Sequence, residues 1–600
     1  MARFMKKLCT LLLGVVCHAA IAQTNITTPT VSGTWTLAGS PYMVQTSITV
    51  PATGTLTIQP GVVVKMYATT KIEVNGQLIA NGTSNNPIIF QANDTTGWSI
   101  DSMTTGGWNG LHFHQYGGVG TDQSMVNYCT VQDVKYGYSS ALNYMNAFTA
   151  ERGIQVHNSI FKHNTSGSGM FRAGAVFNAQ TFLTTDTLDI YKCAFTDNNG
   201  SPSVISVTNA PNGYARIRSS HIYQNPNGSG IGVNLGNILI EDNELDHNTT
   251  VYNSCPIMIV GYNAIVRRNK VHHNTCENYG GISCQYGMVT VEDNLICNNI
   301  QTNAFCGFVE GGGGMNVVCN GSSIDEGFYI IRNNIIANNH AALGGGGIYV
   351  YHARTCISNN HIINNYTPNS GSGIMINGPG SEVYMRSNLF HTQSSPGNVD
   401  TEKAVYIYNG SSVWFDYNYM PSAYYQAVQT GFSYTLYGDT LHNVIGTSPA
   451  LVAPTLDNNY LTDATTADFN LMSTSPCINE GDTVGAFPAM VDYAGNNRFN
   501  GVIDIGAYEY NDVHHAGIEN LPNQVFMKVY PNPATSDAGF TVITPGGEGR
   551  LLIYDLSGKV VYTKQVVSTQ NLINLGPEAK GTYLIQFDGT THAATKVFIK

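Results

Sequence analysis

IEDNELDHN at 240, VRRNKVHHN at 266, VEDNLICNN at 291, IRNNIIANN at 331 and ISNNHIINN at 357 are copies of a single phrase. Each reads apolar, x, x, Asn, x, apolar, x, x, Asn. Looser copies extend it in both directions, with VHNSIFKHN at 156, IYKCAFTDN at 190, IRSSHIYQN at 217 and MRSNLFHTQ at 385. The anchors Ser220, Asn243, Asn269, Asn294, Asn334, Asn360 and Asn388 lie 23, 26, 25, 40, 26 and 28 residues apart, a variation that suits stacked coils with loops of different length. The aliphatic residues three before and two after each anchor must face inwards, so the anchors Asn243, Asn269, Asn294, Asn334, Asn360 and Asn388 are expected to stack as a structural ladder of side-chain amides.

Between copies runs a second signal, a glycine run leading into a short apolar strand: GGISCQYGMVTV at 280, GGGGMNVV at 311, GGGGIYVY at 344 and GSGIMI at 371. Glycine tolerates the positive φ of a sharp corner, so one coil holds two or three short strands. Coils stacked about 4.8 Å apart make each strand part of a long parallel sheet. The pattern resembles the right-handed parallel β-helix repeat family over residues 40 to 440. That resemblance implies an all-β chain, a right-handed parallel β-helix solenoid. Its handedness comes from the family and from the rule for parallel connections.

Composition agrees with a long sheet stack. Only 11% of the residues are charged, while Gly (63) and Tyr (35) are abundant. A net charge of -12 and the lack of a basic stripe argue against nucleic acid or an anionic membrane as partner. Residues 1–22 read as a secretory signal, MARFMKK followed by an apolar run too short to span a membrane, with cleavage between Ala22 and Gln23. No transmembrane segment is expected. Of the 12 cysteines, Cys9 and Cys17 leave with the signal, and Cys255, Cys276, Cys284, Cys297, Cys306 and Cys319 crowd the central coils. In an exported protein these read as disulfides, Cys276 with Cys306 being the first candidate pair. No C-x-x-C pair is present, so no metal is assigned; no cofactor is expected either, with calcium the one ion left open.

Residues 23–125 read as an N-terminal cap and first coils, with Trp108 of WNGLHF in the core rather than on a sugar platform. Repeats occupy 126–447, Asn299 to Gly311 carrying the longest loop and Asn418 to Thr447 reading as a Tyr-rich edge set or cap. Residues 448–510 contain SPCINEG, D-x-x-G-x-x-R and DIGAYEY, and resemble the closing segment of Bacteroidota-type surface β-helix proteins. The motif positions are Ser475, Pro476, Cys477, Gly481, Asp492, Gly495, Arg498, Asp504, Gly506 and Glu509. Asp492 and Arg498 are expected to tie a turn against the last coil. A linker at 511–523 leads to a β-sandwich at 524–600, where YPNP, the YDLSGK hairpin, GTY and a basic last strand resemble the type A sorting domain of the type IX secretion system. The resemblance implies Sec export, contact with the type IX machinery and delivery to the outer cell surface or the medium.

For chemistry the sequence offers two rows. Arg218, Glu241, Arg267, Glu292 and Arg332 stand two before the anchors and point outwards, an alternating charge ladder whose pairs serve register and solubility. Asp246 and His247 sit beside His272 and His273 of the next coil, with His163 at the equivalent place earlier; they read as polar turn residues facing water. Their alternative is a metal or proton site. The candidates for catalysis are therefore Asp246, Arg267, His272, His273 and Glu292. Calcium-bridged chemistry has only the Asp242, Glu292, Asp293, Arg267, Arg268 neighbourhood. The N-x-D, Asp-Asp, G-H-G, R-x-K set of polygalacturonases and the W-x-D-H of pectate lyases are missing from the sequence. The leading expectation is a secreted or surface protein that binds extended glycans or acts as an adhesin; the alternative is a lyase acting on anionic polysaccharide, resting on fold analogy.

Overall fold

The computed structural model describes residues 23–98, 100, 105–114, 123–135, 148–150, 153–165, 176–181, 187–199, 203–209, 213–234, 236–250, 254–261, 263–303, 311–319, 327–368, 371–391, 404–408, 410–421, 428–430, 435–437, 442–446, 448–455, 460–483, 489, 491–498, 501–510, 527–535, 539–544, 548–555, 559–589 and 592–599. The expected leader, the linker and Cys306 lie outside these residues. So does most of the loop expected between Asn299 and Gly311.

Among the described residues, three parallel sheets of 16, 14 and 15 strands wind into a right-handed β-helix. One coil runs through Ile257–Val260 in sheet two, Asn263–Arg267 in sheet three and Lys270–His272 in sheet one. Central coils add a short fourth strand such as Thr275–Cys276. The alternation within each strand places Ile217, Ile240, Val266, Val291, Ile331 and Ile357 in one inward column of sheet three. Ile222, Leu245, Val271, Ile296, Ile336 and Ile362 form the matching column of sheet one. All twelve are buried, each aliphatic contributing roughly 1.5–3 kcal/mol of burial, so every added coil extends one core.

The corners explain the asparagines. From Asn243 to Asn418, each anchor Nδ2 donates to the Oδ1 of the next at 2.9–3.0 Å. The same oxygens accept the preceding backbone N–H, for example Asn243 N at 3.0 Å from Asn269 Oδ1. The second Asn of the phrase builds its own ladder from Asn164 to Asn365, with amide contacts of 2.9–3.1 Å. Sequence reading quoted that residue without assigning it this role. Glycine is not the main corner residue either: Asp242, Arg268, Asp293, Asn333 and Asn359, each just before an anchor, hold φ between 53° and 61°. Asn, Asp and His tolerate this region better than most residues, which is why they crowd the corners. Gly312 is a corner where glycine is required, at φ 77° with the Met315 carbonyl 2.0 Å from where a Cβ would stand.

Among the described residues of Asn418 to Thr447, Tyr419–Pro421, Val428–Thr430, Thr435–Tyr437 and Val444–Gly446 continue all three sheets to their last strands, an edge set that still belongs to the solenoid. Trp108 is fully buried, its Nε1 donating to Gln132 O at 2.8 Å. The candidate pair Cys276 with Cys306 reaches outside the described residues. Among the described residues Cys255, Cys276, Cys284 and Cys297 are buried with free thiols and pack as small apolar residues.

The closing segment also lies elsewhere than expected. It runs along the outer flank of sheet one, where Leu295, Cys297, Ile335, Ala337, Ile363 and Leu389 face out instead of polar residues. Leu451, Phe469, Leu471, Cys477, Ile505 and Tyr508 cover them. Arg498 is thus tied to Asn333 on a middle coil, not to the last one. Residues 528–599 form a separate sandwich-like sheet, ordered Val560–Val566, Gly549–Tyr554, Gly581–Gly589, His592–Ile599, Lys528–Thr535, Gly539–Ile543 and Gln570–Ile573. Phe540, Leu551, Ile553, Ile585, Phe587 and Val597 fill its core.

Candidate functional site

On sheet three the register places Arg218, Glu241, Arg267, Glu292 and Arg332 side by side on successive coils. Arg267 pairs with Glu241 at 2.8 Å and Arg332 with Glu292 at 2.7 Å. Although burial opposes the charge of Glu292, Arg332 holds its carboxyl below the usual range. Arg268 closes the neighbouring row, contacting Asp242 and Glu241 at 2.8 Å each. Burial pushes Asp293 up to about 6, and its carboxylate accepts from Asn333. Arg267 and Glu292 are therefore each neutralised by a partner on an adjacent coil, Glu241 and Arg332 respectively, an arrangement suited to fixing register rather than to abstracting a proton.

Sheet one carries the histidines. Glu244 and Asp246 alternate on one strand, and His272 stands opposite Asp246 on the next coil. Asp246 is gripped from two sides: His221 Nε2 lies 2.5 Å from Oδ1 and His247 Nδ1 2.7 Å from Oδ2. Burial would raise its pKa, yet these two hydrogen bonds bring it below the ordinary carboxylate value. His272 is only 8% exposed, with Nε2 3.2 Å from Glu244 Oε1 and Nδ1 3.0 Å from His273 Nδ1. His273 stacks on His247 at 5.2 Å and brings Nε2 to 3.8 Å from Asp463 of the closing segment. Burial, then the neighbouring His272, lowers the His273 pKa, while Asp463 works in the opposite sense. His247 and His273 occupy corner positions at φ 53°, and His163 does so at 54° on an earlier coil, where it meets Asp133 at 2.8 Å instead. The sequence reading brought Asp246, His247, His272 and His273 together, but it did not include His221, Glu244 and Asp463. Register alone signals His221 and Glu244; nothing in the repeat signals Asp463.

The closing-segment motif is a hydrogen-bonded knot. Fully buried Arg498 donates to Glu509 Oε1 at 2.5 Å, to Gly506 O at 3.0 Å and to Asn333 Oδ1. Asp492 accepts from Asn496 N at 2.6 Å and Glu509 N at 2.9 Å, while Asp504 accepts from Asn479 N at 2.7 Å. Burial pushes Glu509 up and Arg498 down, against their mutual attraction. Asp492 and Asp504 cap main-chain N–H groups while Arg498 ties Glu509, Gly506 and Asn333 together, so these residues hold the segment in place.

Tyrosines mark the outer face of sheet two. Tyr349 and Tyr351 lie side by side with ring centroids 6.4 Å apart, and Tyr406 and Tyr408 repeat the arrangement at 6.0 Å. One coil, carrying Met375 and Asn377 at the paired positions, separates the two pairs. On sheet three Tyr384 and Trp414 stack directly at 4.3 Å and cover each other's faces.

Residues 528–600 match the secretion system C-terminal sorting domain family. The tail is a type IX sorting domain, and the chain is delivered to the cell surface or the extracellular space. No curated protein matches the chain. A solved structure described as a new PL6 alginate lyase complex with trisaccharide is 14% identical to it, with 74% of this chain and 86% of that chain covered at a TM-score of 0.34. No helix among the described residues is long and apolar enough to cross a membrane.

Proposed function

We propose that this type IX cargo is a glycan-binding surface protein whose contact face is the tyrosine-bearing stretch of sheet two. The carrying observation is the placement of Tyr351, Tyr406 and Tyr408, half-buried and outward, with the Asn377 amide between the pairs. With one coil between them the pairs stand two strand spacings apart, roughly 9.6 Å, close to the length of a disaccharide. Aromatic rings held by a rigid sheet offer apolar faces to sugar rings at little entropic cost, and the Asn377 amide fixes the neighbouring Tyr349 by donating to its hydroxyl at 3.1 Å. An adhesin-like role follows from the same face when the glycan belongs to another surface.

The test is affinity electrophoresis of the mature β-helix through gels containing neutral glucans, mannans or uronate polymers. Wild-type protein is expected to be retarded by at least one polymer, and the Tyr406→Ala, Tyr408→Ala double variant to run freely at unchanged far-ultraviolet circular dichroism. Equal retardation of both proteins, or none on any polymer, refutes the reading. The lyase alternative makes the opposite demand: an unsaturated uronate product, followed by ultraviolet absorbance, that Arg267→Ala abolishes.

A further inference from the structure

We propose that Glu244, Asp246 and His272 bind one divalent ion of borderline softness, with Zn²⁺ as its representative. The donor atoms of these three side chains lie within 4.8 Å of one another. Ligands that sit about 2.0–2.2 Å from zinc are separated from each other by roughly 3.3–3.6 Å, so small rotations of Glu244 suffice to close the site. Glu244 is the movable member, because its side chain is 45% exposed while those of Asp246 and His272 are 13% and 10% exposed. The backbone does the rest: adjacent strands in strict register hold the carboxylate of Asp246 against the ring of His272.

The surroundings are those of an oriented ligand set. A metal-bound imidazole commonly donates its other N–H to a group that fixes its tautomer. Here His272 Nδ1 faces His273 Nδ1 at 3.0 Å, and His273 Nε2 in turn faces Asp463 Oδ1 at 3.8 Å. With the proton of His273 on Nε2, the His272 Nδ1–H donates to His273 and the Nε2 lone pair is left for the ion. Asp246 is held by His221 and His247 but keeps unused lone pairs, since an ionised carboxylate accepts at about four sites. Three of the neighbours therefore aim the donors without filling the site.

The chemistry selects the class of ion. Calcium takes six to eight oxygen ligands, and a buried imidazole offers it nothing. One imidazole with two carboxylates suits zinc and its first-row neighbours. Lys270, opposite Glu244 on the next coil, opposes a cation and weakens the site. Cys297, opposite His272, is a buried thiol with its pKa raised by burial, packed beneath the closing segment. A bound ion joins two coils directly and reaches the closing segment through His273 and Asp463.

The experiment uses the full mature chain without an affinity tag, stripped with a chelator and dialysed. Zn²⁺ is titrated calorimetrically at neutral pH, and Co²⁺ serves as a spectroscopic probe of the ligands. One ion per chain is expected, together with visible Co²⁺ absorption that disappears in His272→Gln. Affinity should fall about tenfold or more in Asp246→Asn and in Glu244→Gln, and stay unchanged in His352→Gln. Glu244→Gln, at the solvent rim, keeps the test valid if the buried variants misfold. Absence of saturable binding, or binding of unchanged affinity in Glu244→Gln and Asp246→Asn, overturns the proposal.

Discussion

Replacing Asn294 with Ala removes a fully buried rung from the middle of the anchor ladder. Its Oδ1 accepts from Asn269 N at 2.9 Å and Asn269 Nδ2 at 3.0 Å, and its Nδ2 donates to Val266 O, Glu292 O and Asn334 Oδ1 at 2.9 Å each. Several partners keep other bonds. Asn269 Nδ2 still reaches Ile240 O and Arg267 O, and Asn334 Oδ1 still accepts Asn294 N. The group left with nothing is the buried N–H of Asn269. An orphaned buried N–H costs about 1–3 kcal/mol and each net hydrogen bond lost about 1 kcal/mol, so the loss comes to about 3 kcal/mol. Asn443 is the contrast: it ends the ladder, half-buried, accepting Asn418 N at 2.9 Å, and water can take its place. Asn443→Ala should cost about 1 kcal/mol or less. Because solenoids need not unfold in one step, the assay is native-state hydrogen exchange, followed by mass spectrometry of peptides spanning residues 263–303 and 411–446. The expected result is a large loss of protection around Asn269 in the first variant and a small, local one in the second. Equal effects, or a loss below about 0.5 kcal/mol in Asn294→Ala, would refute the account of the ladder as an obligatory donor–acceptor chain.

Arg498→Met should release the closing segment, since it leaves Glu509 buried without its cation at a cost of about 3–5 kcal/mol; limited proteolysis within 449–510 checks it, and wild-type resistance contradicts it. His361 is buried, accepts Ala507 N on Nδ1 at 2.6 Å, and has its pKa lowered to about 3 by burial and the nearby Arg498. The unfolded imidazole titrates near 6.5, so the stability it supports is full above that value and lost as pH falls towards the folded pKa, by about 1.4 kcal/mol per unit. His361→Gln should flatten this slope between neutral pH and about pH 5 in urea midpoints, and an identical slope would exclude His361 as the source. Lys192 holds φ 53° at an exposed corner, so Lys192→Asn should raise stability by a few tenths to about 1 kcal/mol; a lower thermal midpoint would mean its contact with the Tyr191 ring outweighs the corner.

The coil was legible because its periodicity and its corner chemistry coincide in one phrase. Ile240 and Leu245 announce the inward face, Asn243 and Asn248 the two corners, and Glu241 against Arg267 the register. The closing segment was harder to place. Leu295, Ile335 and Leu389 sit at outward positions, and read singly they look like ordinary aliphatics in an apolar-rich strand. Only counted down the coils do they form a stripe that needs a cover. The cysteines are hard to read for a related reason: compartment chemistry favours bridges, while strand alternation alone is enough to bury Cys284 beside Ile282. Asp463 joins His273 across nearly two hundred residues of chain, a proximity set by how the flank is covered and invisible to any local pattern.

The two ladders also bear on how such a chain can change length. Every rung offers the same donor to one neighbour and the same acceptor to the other, so a whole turn can be gained or lost before His273, which meets Asp463, with the pattern healed across the gap. Beyond it the closing segment is fastened at Asn298, Asn333, Asn359, His361 and Ser387, like a bracket drilled for fixed holes. An extra turn inserted between two of these points shifts the later fastenings against the earlier ones, so the front half of the solenoid is where a change in length costs least.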